Sequence, residues 1–376
     1  MSMILDGSNG VTFNDASLQG AAASPYVLKN RIINGAMVID QRNAGASKTI
    51  TDTVNATYTL DRWFAYGSQA SKFSVQQNAG SVTPPTGFTN YAGMTSLSAY
   101  TVGASELFQF CQRIEGFNFA DLGWGTANAQ TVTLSFWVRS SLTGTFGGAL
   151  LNNAGNRSYP FSYTISAANT WEQKSITIAG DTSGTWLTTN GTAVNVNFSL
   201  GTGSTLSGTA GSWSGSALFS ATGATSVVGT NAATWYVTGV QLEVGSTATP
   251  FERRLYSQEF ANCQRYLPAV NSNSTVDTIM NGQSASTTAF YTYFTFLVTP
   301  RVPPTGLSVS AASHFTCNPF VGSNGTATAV AISGSSYKLA RVFFTTNTMT
   351  STTAGAAGDV FFNNASGQLL FTGCEL

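Results

Sequence analysis

The chain has 376 residues with sixteen basic and sixteen acidic side chains, and only 9% of its residues are charged, against a usual share of about a quarter. Cancelled charge sets up no sustained field to draw in nucleic acid or anionic lipid, which excludes a nucleic-acid partner at this level. No apolar run approaches the roughly 20 residues that span a bilayer, so no membrane insertion is expected.

The length exceeds one ordinary domain of about 100–200 residues, and 42% apolar residues suffice for more than one core. Thirty-eight glycines and 25 phenylalanines, with few Glu or Lys, predict many short strands joined by tight turns rather than surface helices. The start, Met1-Ser-Met-Ile-Leu-Asp-Gly, lacks the basic and apolar stretches of a signal peptide. Near-zero net charge also weakens the usual barrier to self-association.

Residues 1–28 form a polar lead with a few apolar anchors, Ile4, Leu5, Val11, Phe13 and Leu18. They are too few for a core, so an extended attachment or oligomerisation arm is expected, needing a partner chain or neighbouring domain. From 29 to 252 strand signals recur. Val132, Leu134, Phe136 and Val138 alternate with polar neighbours and Trp137, as do Val194, Val196, Phe198 and Leu200 with Asn195, Asn197 and Ser199. A period of two puts each apolar set on one sheet face. With Gly-rich loops such as 201–215 between the runs, this predicts a jelly-roll β-sandwich. Over 253–268, Tyr256, Phe260, Cys263 and Leu267 recur at helical spacing between Pro250 and Pro268, predicting a short linker helix with one apolar stripe. Residues 269–376 carry further alternating runs, among them Phe290, Phe294 and Phe296, and predict a second, smaller β-sandwich. The fold class is therefore all-β.

Catalytic signatures are scarce. The single histidine, His314, follows Ser313 without a nucleophile elbow nearby, and is expected in a loop or core. Cys111, Cys263, Cys317 and Cys374 form no C-x-x-C pair and are expected as buried thiols. Zinc, P-loop and dinucleotide motifs are missing. Asp121, Asp181 and Glu172 fall in or near loops, where paired carboxylates would serve glycoside hydrolysis, but spacing singles out no pair. No catalytic residue and no obligatory cofactor is expected.

Three constellations speak for more. These are Tyr58-Thr-Leu-Asp-Arg-Trp-Phe; Gln112-Arg-Ile-Glu-Gly with Leu122-Gly-Trp-Gly-Thr-Ala and Val132-Thr-Leu-Ser-Phe-Trp-Val-Arg; and Trp235-Tyr-Val-Thr-Gly-Val-Gln-Leu-Glu-Val-Gly-Ser followed by Thr249-Pro-Phe-Glu-Arg-Arg and Cys263-Gln-Arg-Tyr. In order and spacing they resemble bacteriophage tail-fibre-like proteins with a carbohydrate-binding-module-like jelly roll, over about residues 30–266 and more weakly beyond. The resemblance implies a virion component assembled in the bacterial host cytoplasm, commonly a homotrimer among other virion tail proteins, displaying its sandwich to a host cell-surface polysaccharide. A purely structural virion component, such as a fibre adaptor or capsid decoration, is the alternative, and a polysaccharide-cleaving enzyme the third reading. In similar modules a carboxylate at the place of Glu243 helps bind calcium. Glu252, Arg253 and Arg254 are expected to clamp the sandwich to the helix, and Arg113 with Glu115 to reach neighbouring strands as an ion pair. Sugar C–H faces stack on rings, so Trp124, Trp186 and Trp213, in Gly-rich loops, are the candidate glycan platforms. Trp63, Trp137, Trp171 and Trp235 lie in strand patterns and are expected in the core or on a sheet face.

Overall fold

The computed structural model describes residues 29–376, and before them the backbone of three short strands, Ile4–Asp6, Gly10–Thr12 and Leu18–Gln19, which pair antiparallel. The rest of the 1–28 arm, with Phe13 and any partner for its apolar residues, lies outside the described residues.

Two six-stranded sheets make the large unit. One runs in the order Glu172–Ile178, Val132–Ser140, Thr234–Val244, Ala92–Ser96, Phe73–Gln77 and Lys48–Thr49. The other runs Ser158–Ile165, Gly144–Asn152, Thr192–Thr202, Leu107–Glu115, Trp63–Gly67 and Thr57–Tyr58. Their inner faces are the alternating sets: Val132, Leu134, Phe136 and Val138 from one sheet and Val194, Val196, Phe198 and Leu200 from the other, all at 0% exposure. Each such side chain removed from water stabilises the fold by about 1.5–3 kcal/mol. Trp63 stacks on Phe110 at 4.9 Å and donates Nε1–H to the Asn34 carbonyl at 3.1 Å; buried Trp235 donates to the Tyr163 hydroxyl at 3.0 Å.

The strand Thr234–Val244 carries a bulge opposite Ser135–Trp137. Gly239 sits there at φ +61°, where a Cβ would meet the Phe88 ring at 2.6 Å. Past the bulge, Val240 turns its N–H to the Gly35 carbonyl (2.9 Å) and its carbonyl to the Asn30 amide (3.1 Å), docking the entry segment onto the last strand.

The helix spans Tyr256–Gln264. Cys263 and Leu267 are buried, but Tyr256 is 65% exposed and stacks on Phe260, so it stays off the buried stripe. Glu259 takes that inward place, because its carboxylate pairs with Arg254 at 3.1 Å and accepts the Asn34 N–H. No helix among the described residues is long and apolar enough to cross a membrane.

Beyond the helix, six strands close on themselves in the order Asp277–Ser286, Ala289–Thr295, Leu339–Thr346, Gly325–Ser335, Phe315–Pro319 and Ala357–Phe362. A three-stranded sheet, Ala269–Asn271, Gln368–Thr372 and Gly306–Val309, accompanies this barrel. The small β unit expected from the alternating runs thus closes its edges instead of stacking two open sheets. Phe290, Phe315, Phe344 and Phe362 fill it at 0% exposure.

Candidate functional site

The motif residues converge on the seam between sandwich and barrel. Glu115, at 1% exposure, accepts from Arg265 Nε (2.9 Å) and Nη2 (2.6 Å) and from the Tyr266 hydroxyl (2.6 Å). Arg62, equally buried, donates to Glu375 and to the Arg113 carbonyl, and its guanidinium lies 3.5 Å from the Tyr266 ring centroid. Arg42 reaches the other Glu375 oxygen at 2.9 Å, and Arg301 binds the Cys374 carbonyl (2.8 Å) and the Glu375 carbonyl (2.6 Å). Asp61 accepts from the Gln41 backbone and side-chain N–H groups, each at 2.6 Å. Burial pushes its carboxyl up to about 6, the two Gln41 bonds offsetting part of the cost. The ion pair expected to involve Arg113 and Glu115 is therefore corrected. Glu115 pairs with Arg265, 150 residues away, and no acidic side chain pairs with Arg113 among the described residues.

The junction at the last sandwich strand is equally saturated. Arg254 bonds the Asn30 and Ile32 carbonyls, Glu252 accepts the Asn30 N–H at 2.6 Å, and Arg253 lies over the Phe88 ring at 4.7 Å. Glu243, 2% exposed, accepts from Gln241 Nε2 (2.8 Å), the Thr249 N–H (2.8 Å) and the Thr249 hydroxyl (2.6 Å), with the Lys29 ammonium 3.6 Å away. Calcium takes six to eight oxygen ligands. A carboxylate ringed by N–H donors and an ammonium does not fit it, and no group of three or more His, Cys, Asp or Glu among the described residues is placed to hold a metal.

The three loop tryptophans come together. Trp124, Trp186 and Trp213 meet edge to face with centroids 4.8, 5.2 and 5.5 Å apart. Every indole N–H is spent on a nearby carbonyl: Trp124 on Gln130 (2.8 Å), Trp186 on Ser183 (3.1 Å) and Trp213 on Ala179 (2.8 Å). Trp124 and Trp186 are 6% exposed, so neither offers a face to a sugar; only half-buried Trp213 reaches solvent. A bidentate Arg157–Asp181 pair, both bonds 2.7 Å, flanks the cluster. The three loop carboxylates are dispersed by contrast, Asp121 on Arg31, Asp181 on Arg157 and Glu172 on Lys174. His314 shares a 2.8 Å hydrogen bond with Ser310, and all four cysteines are free and buried.

A cleft of about 200 Å³ lies on the outer face of the second sheet. Because the apolar members of Leu107–Glu115 and Thr192–Thr202 turn inward, Gln109, Cys111, Arg113, Asn195 and Asn197 turn outward and form its floor. Phe64 lines one side and Phe219, on the crossing segment that ends in Ser220–Ala221, the opposite one; the Phe219 carbonyl accepts from Asn197 Nδ2 at 2.8 Å. The loop at Asn153–Gly155 closes a third side. At the Arg113 end, a main-chain oxygen of Leu376, the last residue, accepts from Arg113 Nη1 and from the Tyr58 hydroxyl. Among the described residues, Gln109 Oε1 is buried without a hydrogen-bond partner and Asn195 Nδ2 has none. An unpartnered buried amide oxygen is costly, by about 1–3 kcal/mol, unless something binds it. Sequence reasoning placed Asn195 and Asn197 on the face opposite the core but drew no site from them. The usable signal was the outward row of amides itself.

No family model matches the chain, and no curated protein matches it. Among solved structures it is similar to the enzymatically active domain of tailspike protein 4 of bacteriophage CBA120, at 12% identity and TM-score 0.32 over 57% of this chain, spanning 21% of that protein's chain. It is also similar to a putative sugar binding protein from Bacteroides thetaiotaomicron, at 11% identity and TM-score 0.34, over 58% of this chain and 100% of that one. A family 11 carbohydrate-binding module from Clostridium thermocellum aligns at 12% identity and TM-score 0.27, over 55% of this chain and 100% of that one.

Proposed function

We propose that this chain is a bacteriophage virion protein of tail-fibre or spike type, whose sandwich binds a host surface glycan in the outer-face cleft. The observation that carries the site is the unpartnered Gln109 amide oxygen beside Asn195 and Asn197. Gln109 Oε1 and Asn195 Nδ2 there offer an acceptor and a donor to a sugar hydroxyl. The virion setting is supported by the ordered motifs of the sequence, and the same resemblance supports a homotrimer joined to other tail proteins. The reading assigns no catalytic step to the chain. A purely structural virion role is the second reading, favoured by the burial of Trp124 and Trp186.

Adsorption competition tests the proposal. Excess purified protein is expected to block attachment of the parent particle to its host, and the double substitution Gln109→Ala with Asn195→Ala to abolish the block while leaving the melting temperature within a few degrees. Equal competition by both proteins would remove the cleft from the account, and no competition by either would favour the structural role. Mass photometry should give three times the chain mass.

A further inference from the structure

One apolar surface at the junction has no cover among the described residues. Leu255 and Tyr256, at the start of the helix, are 77% and 65% exposed, and Tyr256 stacks on half-buried Phe260 at 5.9 Å. Beside this ridge lies a pocket of about 140 Å³, with Ala36, Val38, Phe251 and Tyr256 among its walls. Two of the charged groups around it are committed: Glu259 pairs with Arg254, and Glu252 accepts the Asn30 N–H. Arg253 differs. It lies over the Phe88 and Phe251 rings and pairs with no acidic side chain among the described residues.

The chain's own lead emerges at this surface. Asn30 lines the pocket, and Lys29 is tied down next to it, donating to the Pro250 carbonyl at 3.2 Å and to the Thr249 hydroxyl. The lead's strands, of three, three and two residues, are too small to stand without a surface to pack on. Its sequence nevertheless carries Ile4, Leu5, Val11, Phe13 and Leu18. Residues 20–28 separate the last strand from Lys29, a reach of at most about 30 Å. A segment tethered that closely meets the surface at high effective concentration, so a contact too weak to join two molecules still holds within one. Charge agrees: residues 1–28 contain Asp6 and Asp15 and no Lys or Arg, against the unpaired Arg253. We propose that the ridge and pocket seat residues 4–19 of the same chain, folded back from Lys29. Apolar side chains of the lead cover Leu255 and Tyr256, and its carboxylates lie towards Arg253. The lead is then a strap over the junction of sandwich and helix. This inference is independent of the glycan reading.

Hydrogen exchange on the full chain tests it. Amides of residues 4–19 are expected to exchange about tenfold or more slowly in the parent than in Leu255→Ser/Tyr256→Ser, where both substituted positions are exposed. Arg253→Glu should lose part of the protection, and adding Asp6→Lys and Asp15→Lys to it should return that part. Fast exchange in the parent, or slow exchange untouched by the ridge substitutions, would overturn the inference. Disulfide closure identifies the occupant, since all four native thiols are buried. Ile4→Cys, Leu5→Cys, Val11→Cys, Phe13→Cys and Leu18→Cys are each combined with Ser257→Cys, an exposed position beside the ridge. At least one pair is expected to close within a single chain. Closure only between chains would give the seat to a neighbouring copy, and closure of no pair would leave it without the lead; either result overturns the inference. None of these outcomes alters glycan binding in the cleft.

Discussion

Asp61 illustrates how single residues here serve the seam rather than chemistry. Below its ordinary value of 3.8 the carboxyl is protonated in both folded and unfolded chains and costs nothing. Between there and about 6 it ionises first in the unfolded chain, so the folded state loses about 3 kcal/mol across that window as pH rises. Denaturant titrations of the parent protein and Asp61→Asn at pH 4 and pH 6.5 are expected to show the parent's relative stability falling by about 2 kcal/mol, the part of that change lying between the two conditions. A constant difference would mean that Asp61 is not held protonated. At the tryptophan cluster, Trp124→Ala should cost about 3–5 kcal/mol by removing a buried ring from three aromatic contacts. Chemical denaturation measures this, and Trp213→Ala, half exposed, should cost less. The Gly-rich surroundings of these rings suggested exposure in the sequence. They did not reveal that the loops bearing Trp124, Trp186 and Trp213 fold against one another, because that contact joins segments far apart in the chain.

At the scale of elements, alternation carried the most information. The runs Val132–Val138 and Val194–Leu200 became the facing inner surfaces of the sandwich, and a 3.6-residue period with flanking prolines marked the helix Tyr256–Gln264. A period of two cannot distinguish a closed barrel from a sandwich, since both bury alternate residues, so the closure of the C-terminal strands was not legible. Nor was the pairing of Glu115 with Arg265, although both sat in motifs already singled out. Each motif is local, whereas each bond crosses the seam. Glu115→Ala strands Arg265 and the Tyr266 hydroxyl together. Removing one partner of a buried pair costs about 3–5 kcal/mol, and Arg265 keeps 32% of its side chain exposed, so about 3 kcal/mol is expected. Calorimetry should show the single transition of the parent splitting into separate sandwich and barrel transitions, with proteolysis appearing between 253 and 268. One unsplit transition at the parent temperature would deny the clasp its role.

For the whole molecule, sparse charge leaves a surface solvated by Gly, Ser, Thr and Asn, while three ion pairs, Arg42 and Arg62 with Glu375 and Arg265 with Glu115, join the sandwich to the segments that follow it. The outer-face cleft is set on the second sheet, its floor fixed by the register of Leu107–Glu115 against Thr192–Thr202, with Arg113 at one end bonded to Leu376. The proposed glycan site is that cleft rather than the tryptophans. Its most direct test is calorimetric titration of purified host surface polysaccharide into the parent protein, the Gln109→Ala/Asn195→Ala variant and Trp213→Ala. Saturable binding that the cleft variant loses by about tenfold or more, and that Trp213→Ala retains, is the predicted result. Binding lost with Trp213 and untouched by the cleft substitutions would contradict it.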